Sequence, residues 1–152
     1  RRGCRCEAAE AASSSAQLVI HLDTTFLVDA IRESRRKQPG PALRWLAENQ
    51  TEQLAMSAFV RAELLVGAEL HAEPDRERLR VLKICGDLPV VTPGPGMADT
   101  YAAAAAALIQ QGRRIATMDL RIASTALHTG AALLTANRKH FERIVGLRVI
   151  SY

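Results

Sequence analysis

Aromatic side chains are scarce in this chain: Phe, Trp and Tyr together account for 4% of its 152 residues, although apolar residues of all kinds account for 48%. A core of this composition has to be packed from Leu, Ile, Val and many Ala, which favours close contacts between helices. The scarcity also excludes an extended platform of rings on which nucleic-acid bases stack.

Cysteine and long apolar runs are equally limited. The three cysteines, Cys4, Cys6 and Cys85, cannot form a closed set of disulfides, and no second pair follows at the spacing of a zinc site. No segment contains the roughly 18 consecutive apolar residues that a membrane-spanning helix needs. We therefore expect a protein of the reducing cytoplasm that has no membrane segment.

Residues 1–17 contain no large apolar side chain and no apolar stretch of the kind found in a signal peptide. This composition predicts a disordered tail or a non-native extension outside the folded part. The remaining residues, 18–152, are enough for one domain, and a chain of this length buries roughly 68–70% of its unfolded surface.

Apolar runs and helical spacing alternate along residues 18–152, as in proteins built from strands followed by helices. Short apolar runs predict strands at 18–22, 54–56, 88–91, 131–135 and 147–150. The predicted N-caps of the helices between them include Thr24 or Thr25, Ser57 and Thr117. Such alternation predicts an α/β fold with a mostly parallel sheet of about five strands, flanked by helices.

Three acids stand at the junctions of these elements. Asp23 directly follows the first strand, Glu63 lies within the first two turns of the third helix, and Asp119 begins another helix. Functional groups gather at the carboxyl ends of parallel strands, so packing of the sheet is able to bring these acids into one cleft. Taken singly, each has an ordinary explanation, because a first-turn acid gains about 0.3–1 kcal/mol from the helix dipole and exposed helix positions are commonly polar.

Three acids in one cleft repel one another. Two carboxylates about 4 Å apart repel by roughly 4 kcal/mol at an effective dielectric near 20, so such a cleft favours a bound cation. Mg²⁺ or Mn²⁺ takes oxygen ligands and activates water for attack on a phosphodiester. The order and spacing of the acidic segments therefore indicate a metal-dependent nuclease.

The formal net charge of +4 agrees with a polyanionic partner. Basic side chains that flank the acidic segments are candidates for holding RNA phosphates: Arg114, Arg121, Arg138 and Lys139. The alternative is that they only solvate exposed helix faces, as charge clusters commonly do.

Four segments carry a resemblance to a known family. They are Leu22-Asp23-Thr24-Thr25-Phe26-Leu27-Val28-Asp29, Ala62-Glu63-Leu64 with Gly67, Asp119-Leu120-Arg121-Ile122-Ala123-Ser124-Thr125-Ala126-Leu127, and Leu134-Thr135-Ala136-Asn137 with Phe141. In order and spacing they resemble PIN-domain ribonucleases, and within that superfamily the VapC toxins of bacterial toxin–antitoxin pairs. The resemblance extends over about residues 18–152 and implies a PIN-like three-layer α/β/α fold.

The resemblance also implies a set of site residues. Asp23, Glu63 and Asp119 would be catalytic, as ligands of Mg²⁺ or Mn²⁺ and as activators of the attacking water. Thr25 would hold the Asp23 carboxylate through a hydroxyl hydrogen bond.

A fourth acid is frequent in the family but absent here. Its usual places, in the last segment or just before the Phe, hold Asn137 and His140 in this chain. Asn137 is expected to support the site by binding water or substrate. His140 is expected at the surface or at a contact with a partner, because no metal-ligand spacing surrounds it.

The resemblance implies a metal-dependent endoribonuclease that cuts tRNA or ribosomal RNA and so stops translation. The resemblance implies a homodimer and a cognate VapB-like antitoxin that blocks the cleft. One alternative is a non-catalytic PIN-fold module that binds RNA or protein, which the missing fourth acid favours. Another, a phosphatase of the haloacid dehalogenase type, needs an Asp where this chain has Thr25.

Overall fold

The computed structural model describes residues 19–152, so the prediction for residues 1–17, which include Cys4 and Cys6, lies outside the described residues. The strands in the described part are β1 (Ile20–Leu22), β2 (Leu54–Ser57), β3 (Val90–Val91), β4 (Ala132–Leu134) and β5 (Arg148–Ile150). The helices there are α1 (Thr24–Glu33), α2 (Pro41–Glu48), α3 (Ala58–Glu69), α4 (Pro74–Cys85), α5 (Met97–Gln110), α6 (Thr117–His128) and α7 (Arg138–Phe141). None of these helices is long and apolar enough to cross a membrane.

The five strands form one parallel sheet in the order β3-β2-β1-β4-β5. Every residue of the middle strand β1 and of its neighbour β4 is buried, as expected where helices cover both faces of a parallel sheet. Ile20 pairs with Leu54 of β2 on one side and with Ala132 of β4 on the other. The predicted α/β fold with a parallel sheet of about five strands is confirmed.

The ends of several elements differ from the prediction, because an apolar run does not show where hydrogen bonding stops. Strand β3 is two residues long rather than four, and β4 is three residues long rather than five. Thr117 is the first helical residue of α6 and not its N-cap, which is Ala116. The N-cap at Ser57 is confirmed, since its hydroxyl oxygen accepts a hydrogen bond from the Val60 N–H at 3.2 Å.

Three of the six aromatic side chains meet around the first helix. Phe26 of α1 is fully buried and meets Trp45 of α2 and Tyr152 edge to face, with ring centroids 5.7 Å and 4.7 Å away. The Tyr152 hydroxyl also donates a hydrogen bond to Asp29 Oδ2 at 2.8 Å. Helix α1 is therefore held from two sides, which keeps its first residues in place beside Asp23.

Glu33, at the end of α1, stabilises the start of the next helix. Its carboxylate is 5% exposed and accepts hydrogen bonds from the N–H groups of Ala42 at 3.3 Å and Leu43 at 2.9 Å. A helix N-terminus leaves such groups unpaired, and its dipole favours a negative charge. Gly40 leaves room for this contact, because a Cβ there would lie 2.2 Å from Glu33 Oε1.

The cysteine in the described part of the chain is a core residue. Cys85 is buried at the end of α4 and forms no disulfide. Burial raises the pKa of its thiol to about 11, so the thiol stays protonated at neutral pH and is not available as a thiolate ligand.

Candidate active site

The strand order places a crevice beside Asp23. From β1 the chain builds the sheet outward through β2 and β3, and it then returns to the other side of β1 to form β4 and β5. Ligands of open parallel sheets bind at such a switch point, outside the carboxyl ends of the strands. Leu22 and Leu134 pair at the last position of β1 and β4, and the Asp23 N–H donates to the Leu134 carbonyl at 2.9 Å. Asp23 and Thr135 therefore leave the sheet side by side.

Asp23 is a buried carboxylate that does not cap its own helix. It is 2% exposed and occupies the N-cap position of α1, yet its side chain makes no capping hydrogen bond. Instead, the hydroxyls of Thr25 and Thr135 both donate to Oδ2 at 2.7 Å. Among the described residues, Oδ1 receives no hydrogen bond. Burying a carboxylate costs free energy unless a cation or hydrogen-bond donors compensate its charge, so Oδ1 is suited to bind a cation or a water molecule.

Backbone amides fix the direction of these two hydroxyls. The Ala136 N–H donates to Thr25 Oγ1 at 3.2 Å, and the Asn137 N–H donates to Thr135 Oγ1 at 2.9 Å. Since each hydroxyl already accepts a hydrogen bond, its own proton is directed to Asp23. The prediction that Thr24 or Thr25 caps α1 is wrong, whereas the expected contact of Thr25 with Asp23 is present. The contact of Thr135 with Asp23 was not predicted from the sequence, although a hydroxyl directly after a buried strand was a usable signal.

Glu63 reaches the same edge of the sheet from α3. This helix begins directly after β2, the other neighbour of β1. The Thr24 hydroxyl donates a hydrogen bond to Glu63 Oε2, so the two acids are connected through the residue that follows Asp23. Among the described residues, Glu63 Oε1 receives no hydrogen bond. Thr24 is thus a second hydroxyl whose role the sequence did not show.

Asp119 of α6 contacts His140 of α7. Its Oδ2 lies 2.9 Å from His140 Nε2, and the two side chains are 33% and 23% exposed. The distance is that of an ion pair, but the geometry is not that of a hydrogen bond, and Nε2 has no hydrogen-bond partner among residues 19–152. The His140 ring is partly exposed and packs edge to face on the buried Phe141 with centroids 5.6 Å apart, so its expected position at the surface or at a partner contact stays a prediction.

The side chain of Asn137 is exposed beside these groups. It is the N-cap residue of α7 but makes no side-chain capping bond, while its carbonyl accepts from the His140 N–H at 3.0 Å. The amide therefore stays available for water or substrate, and its supporting role remains a prediction.

The donor set suits a hard divalent cation. Asp23, Glu63 and Asp119 each keep one carboxylate oxygen without a hydrogen bond from the described residues. Within residues 19–152, however, no three side chains of His, Cys, Asp or Glu lie close enough to hold a metal between them. Mg²⁺ keeps several waters and binds through one or two carboxylates, so the arrangement fits a cation bound partly through water.

The four basic candidates lie in three different environments. Arg114 and Lys139 line one open depression, which Arg113 and Arg143 also line. Arg138 pairs with Glu142, and the Arg121 guanidinium lies over the Phe59 ring, 5.7 Å from its centroid. In the part of the chain that the structure describes, Arg114 and Lys139 have no ion-pair partner and are thus the best placed of the four to meet phosphates.

The sequence matches a known family over almost all of the described chain. The family model for the PIN domain matches residues 20–147. Ribonuclease VapC1 of Haemophilus influenzae (strain R2866) is 30% identical over 132 residues, which cover 86% of this chain and 96% of that protein. The tRNA(fMet)-specific endonuclease VapC of Shigella flexneri is 29% identical over 127 residues, covering 84% and 92%.

A solved structure shows the same architecture. The crystal structure of VapBC2 from Rickettsia felis, bound to a DNA fragment from their promoter, contains a chain that superposes with a TM-score of 0.77. The two sequences are 27% identical, and the match covers 89% of this chain and 99% of the other. The likeness therefore extends over the whole sheet and its helices.

Proposed function

This chain belongs to the PIN-domain family, and from that premise we propose that it is a toxin-type endoribonuclease of the VapC group. Its substrate is tRNA or ribosomal RNA, whose cleavage inhibits translation in the cytoplasm. The observation that carries the proposal is the buried Asp23 carboxylate, whose Oδ2 accepts two hydroxyls and whose Oδ1 receives no hydrogen bond from the described residues. The names of the H. influenzae and S. flexneri relatives support the reaction class.

The three acids share one role at the phosphodiester. Asp23, Glu63 and Asp119 are the catalytic residues and would hold Mg²⁺ or Mn²⁺, which when bound lowers the pKa of water and offsets charge on the phosphate. Thr25 and Thr135 keep the Asp23 carboxylate in one orientation. The carboxylate oxygens that receive no hydrogen bond from residues 19–152 would accept hydrogen bonds from the attacking water, and Asn137 would support that water or the substrate.

The comparison with the R. felis complex supports one of the proposed partners. We propose that a cognate VapB-like antitoxin neutralises the protein, since the R. felis relative was solved as a VapBC2 pair, and that the active toxin is a homodimer. A groove between α1, α3 and α4 opens beside Glu63 and offers a place for an antitoxin segment. The apolar side chains that line it are Val28, Ile31, Leu64, Ala68 and Val81.

The test of the proposed function is a cleavage assay with the purified, antitoxin-free protein. Total tRNA and ribosomes are incubated with Mg²⁺, with Mn²⁺ or with a chelator, and the ends of the fragments are mapped. Discrete cuts that need a divalent ion support the proposal and identify the substrate. RNA that stays intact under all conditions but is retained by the protein would favour the non-catalytic binding module.

Arg114 and Lys139 are expected to contact phosphates of the bound RNA. Replacing both by Gln should weaken binding and make the slope of log affinity against log salt less negative by about 1.4, because each cation accounts for about 0.7 on single strands. Fluorescence anisotropy in the Asp23→Asn background measures this without cleavage.

The matched control for this pair is Arg36→Gln with Lys37→Gln. Both residues are exposed and follow the end of α1, which begins at the carboxyl edge of the sheet and leads away from it. This pair should leave the salt slope almost unchanged. If both pairs of substitutions lowered the RNA affinity and the salt slope equally, only the net charge of the protein would matter, and Arg114 and Lys139 would not be specific phosphate contacts.

A further inference from the structure

His140 lies against Asp119 in a way that hydrogen bonding does not explain. Its Nε2 atom is buried, is 2.9 Å from Asp119 Oδ2 and has no hydrogen-bond partner among the described residues. The edge-to-face contact with Phe141 fixes the plane of the ring. An imidazole that only paired with the carboxylate would be expected to direct an N–H at it.

Resting on the proposed function, we propose that His140 Nε2 and Asp119 Oδ2 are ligands of the same divalent cation. Nitrogen and oxygen ligands lie about 2.1 Å from such ions, and two ligands at right angles on one ion are then about 3.0 Å apart. The observed separation of 2.9 Å between His140 Nε2 and Asp119 Oδ2 matches this distance between two ligand atoms. The two side chains would thus hold the cation together, and water would supply its remaining ligands.

A nitrogen ligand changes which ion the site prefers. Imidazole suits first-row transition metals, whereas Mg²⁺ is a hard ion that takes oxygen ligands almost exclusively. His140 is neutral as a ligand, so the site also carries less negative charge than one built from four acids. The cation at this site is therefore Mn²⁺, or another transition ion, in preference to Mg²⁺.

Electron spin-echo spectroscopy of the Mn²⁺-loaded wild-type protein tests this without any variant. A bound imidazole produces modulation from its ¹⁴N nucleus, and this modulation must change when the protein is made with ¹⁵N-labelled histidine. The expected result is a histidine nitrogen signal that is lost in His140→Gln and kept in His128→Gln. His128 is the matched control because it is exposed and contacts Thr100, at 3.2 Å.

Calorimetry gives a second readout on the same proteins. His140→Gln should raise the Kd for Mn²⁺ at least about tenfold, while the Kd for Mg²⁺ changes much less, because Gln still offers an oxygen. Mn²⁺ that binds without a histidine nitrogen signal, or with equal affinity in both proteins, would overturn the assignment. Wild-type protein that shows the signal but leaves RNA intact would instead contradict the proposed nuclease and leave the metal site standing.

Discussion

Replacement of Asp23 by Asn is expected to abolish specific RNA cleavage, lowering kcat/KM by between about 10² and 10⁴, the range for loss of one positioned catalytic group. The reason is that the amide removes the charge that attracts the cation and replaces an acceptor with an NH₂ donor. Cleavage of the mapped RNA, measured under single-turnover conditions with Mn²⁺ and with Mg²⁺, gives the factor.

The same change should not unfold the protein. An Asn at position 23 still accepts the hydroxyls of Thr25 and Thr135 through its remaining oxygen, and a buried charge disappears. We therefore expect the free energy of unfolding in urea to stay the same or to rise. The control is Asp99→Asn, which removes an exposed acid from the first turn of α5 and should keep full activity. An Asp23→Asn protein that cuts RNA normally would remove Asp23 from the active site.

Replacement of Thr135 by Val is expected to lower the free energy of unfolding by about 1.5–3 kcal/mol, the usual contribution of a hydrogen bond to a charged group. Thr135 is fully buried, and its hydroxyl both donates to Asp23 Oδ2 and accepts from the Asn137 N–H. Val keeps the shape of the Thr side chain, but it leaves the Asp23 carboxylate with only the Thr25 hydroxyl and leaves the Asn137 N–H without its acceptor. Activity should fall too, because Asp23 is then held only by Thr25.

A double-mutant cycle with Asp23→Asn separates these contributions. If the Thr135 hydroxyl acts on the Asp23 charge, Thr135→Val should cost clearly less in the Asn background than in the wild type, as measured by urea unfolding of all four proteins. Identical costs in both backgrounds would mean that Thr135 matters only through the backbone of Asn137.

Patterns that repeat within a few residues were readable from the sequence. Alternating apolar runs and helical spacing predicted five strands and the helices between them, because each element buries a face with its own period. The N-cap at Ser57, the position of Glu63 in the first two turns of α3 and the place of Asp23 after β1 followed from such local signals. The parallel sheet, predicted from this alternation, is confirmed by the structure. The PIN family, indicated by the four ordered segments, is confirmed by the family match.

Contacts between distant segments were decided only by the tertiary structure. Thr135 donates to Asp23 across 112 positions, and Thr24 donates to Glu63 across 39, because the sheet places β4 and β2 on the two sides of β1. The contact between His140 of α7 and Asp119 of α6 was likewise not visible in the sequence. The period of a segment shows which face is buried, but it carries no information on which strand lies beside which. The acids that follow a strand or lie near the start of a helix were therefore visible in the sequence, whereas the hydroxyls that bind Asp23 and Glu63 depended on strand order.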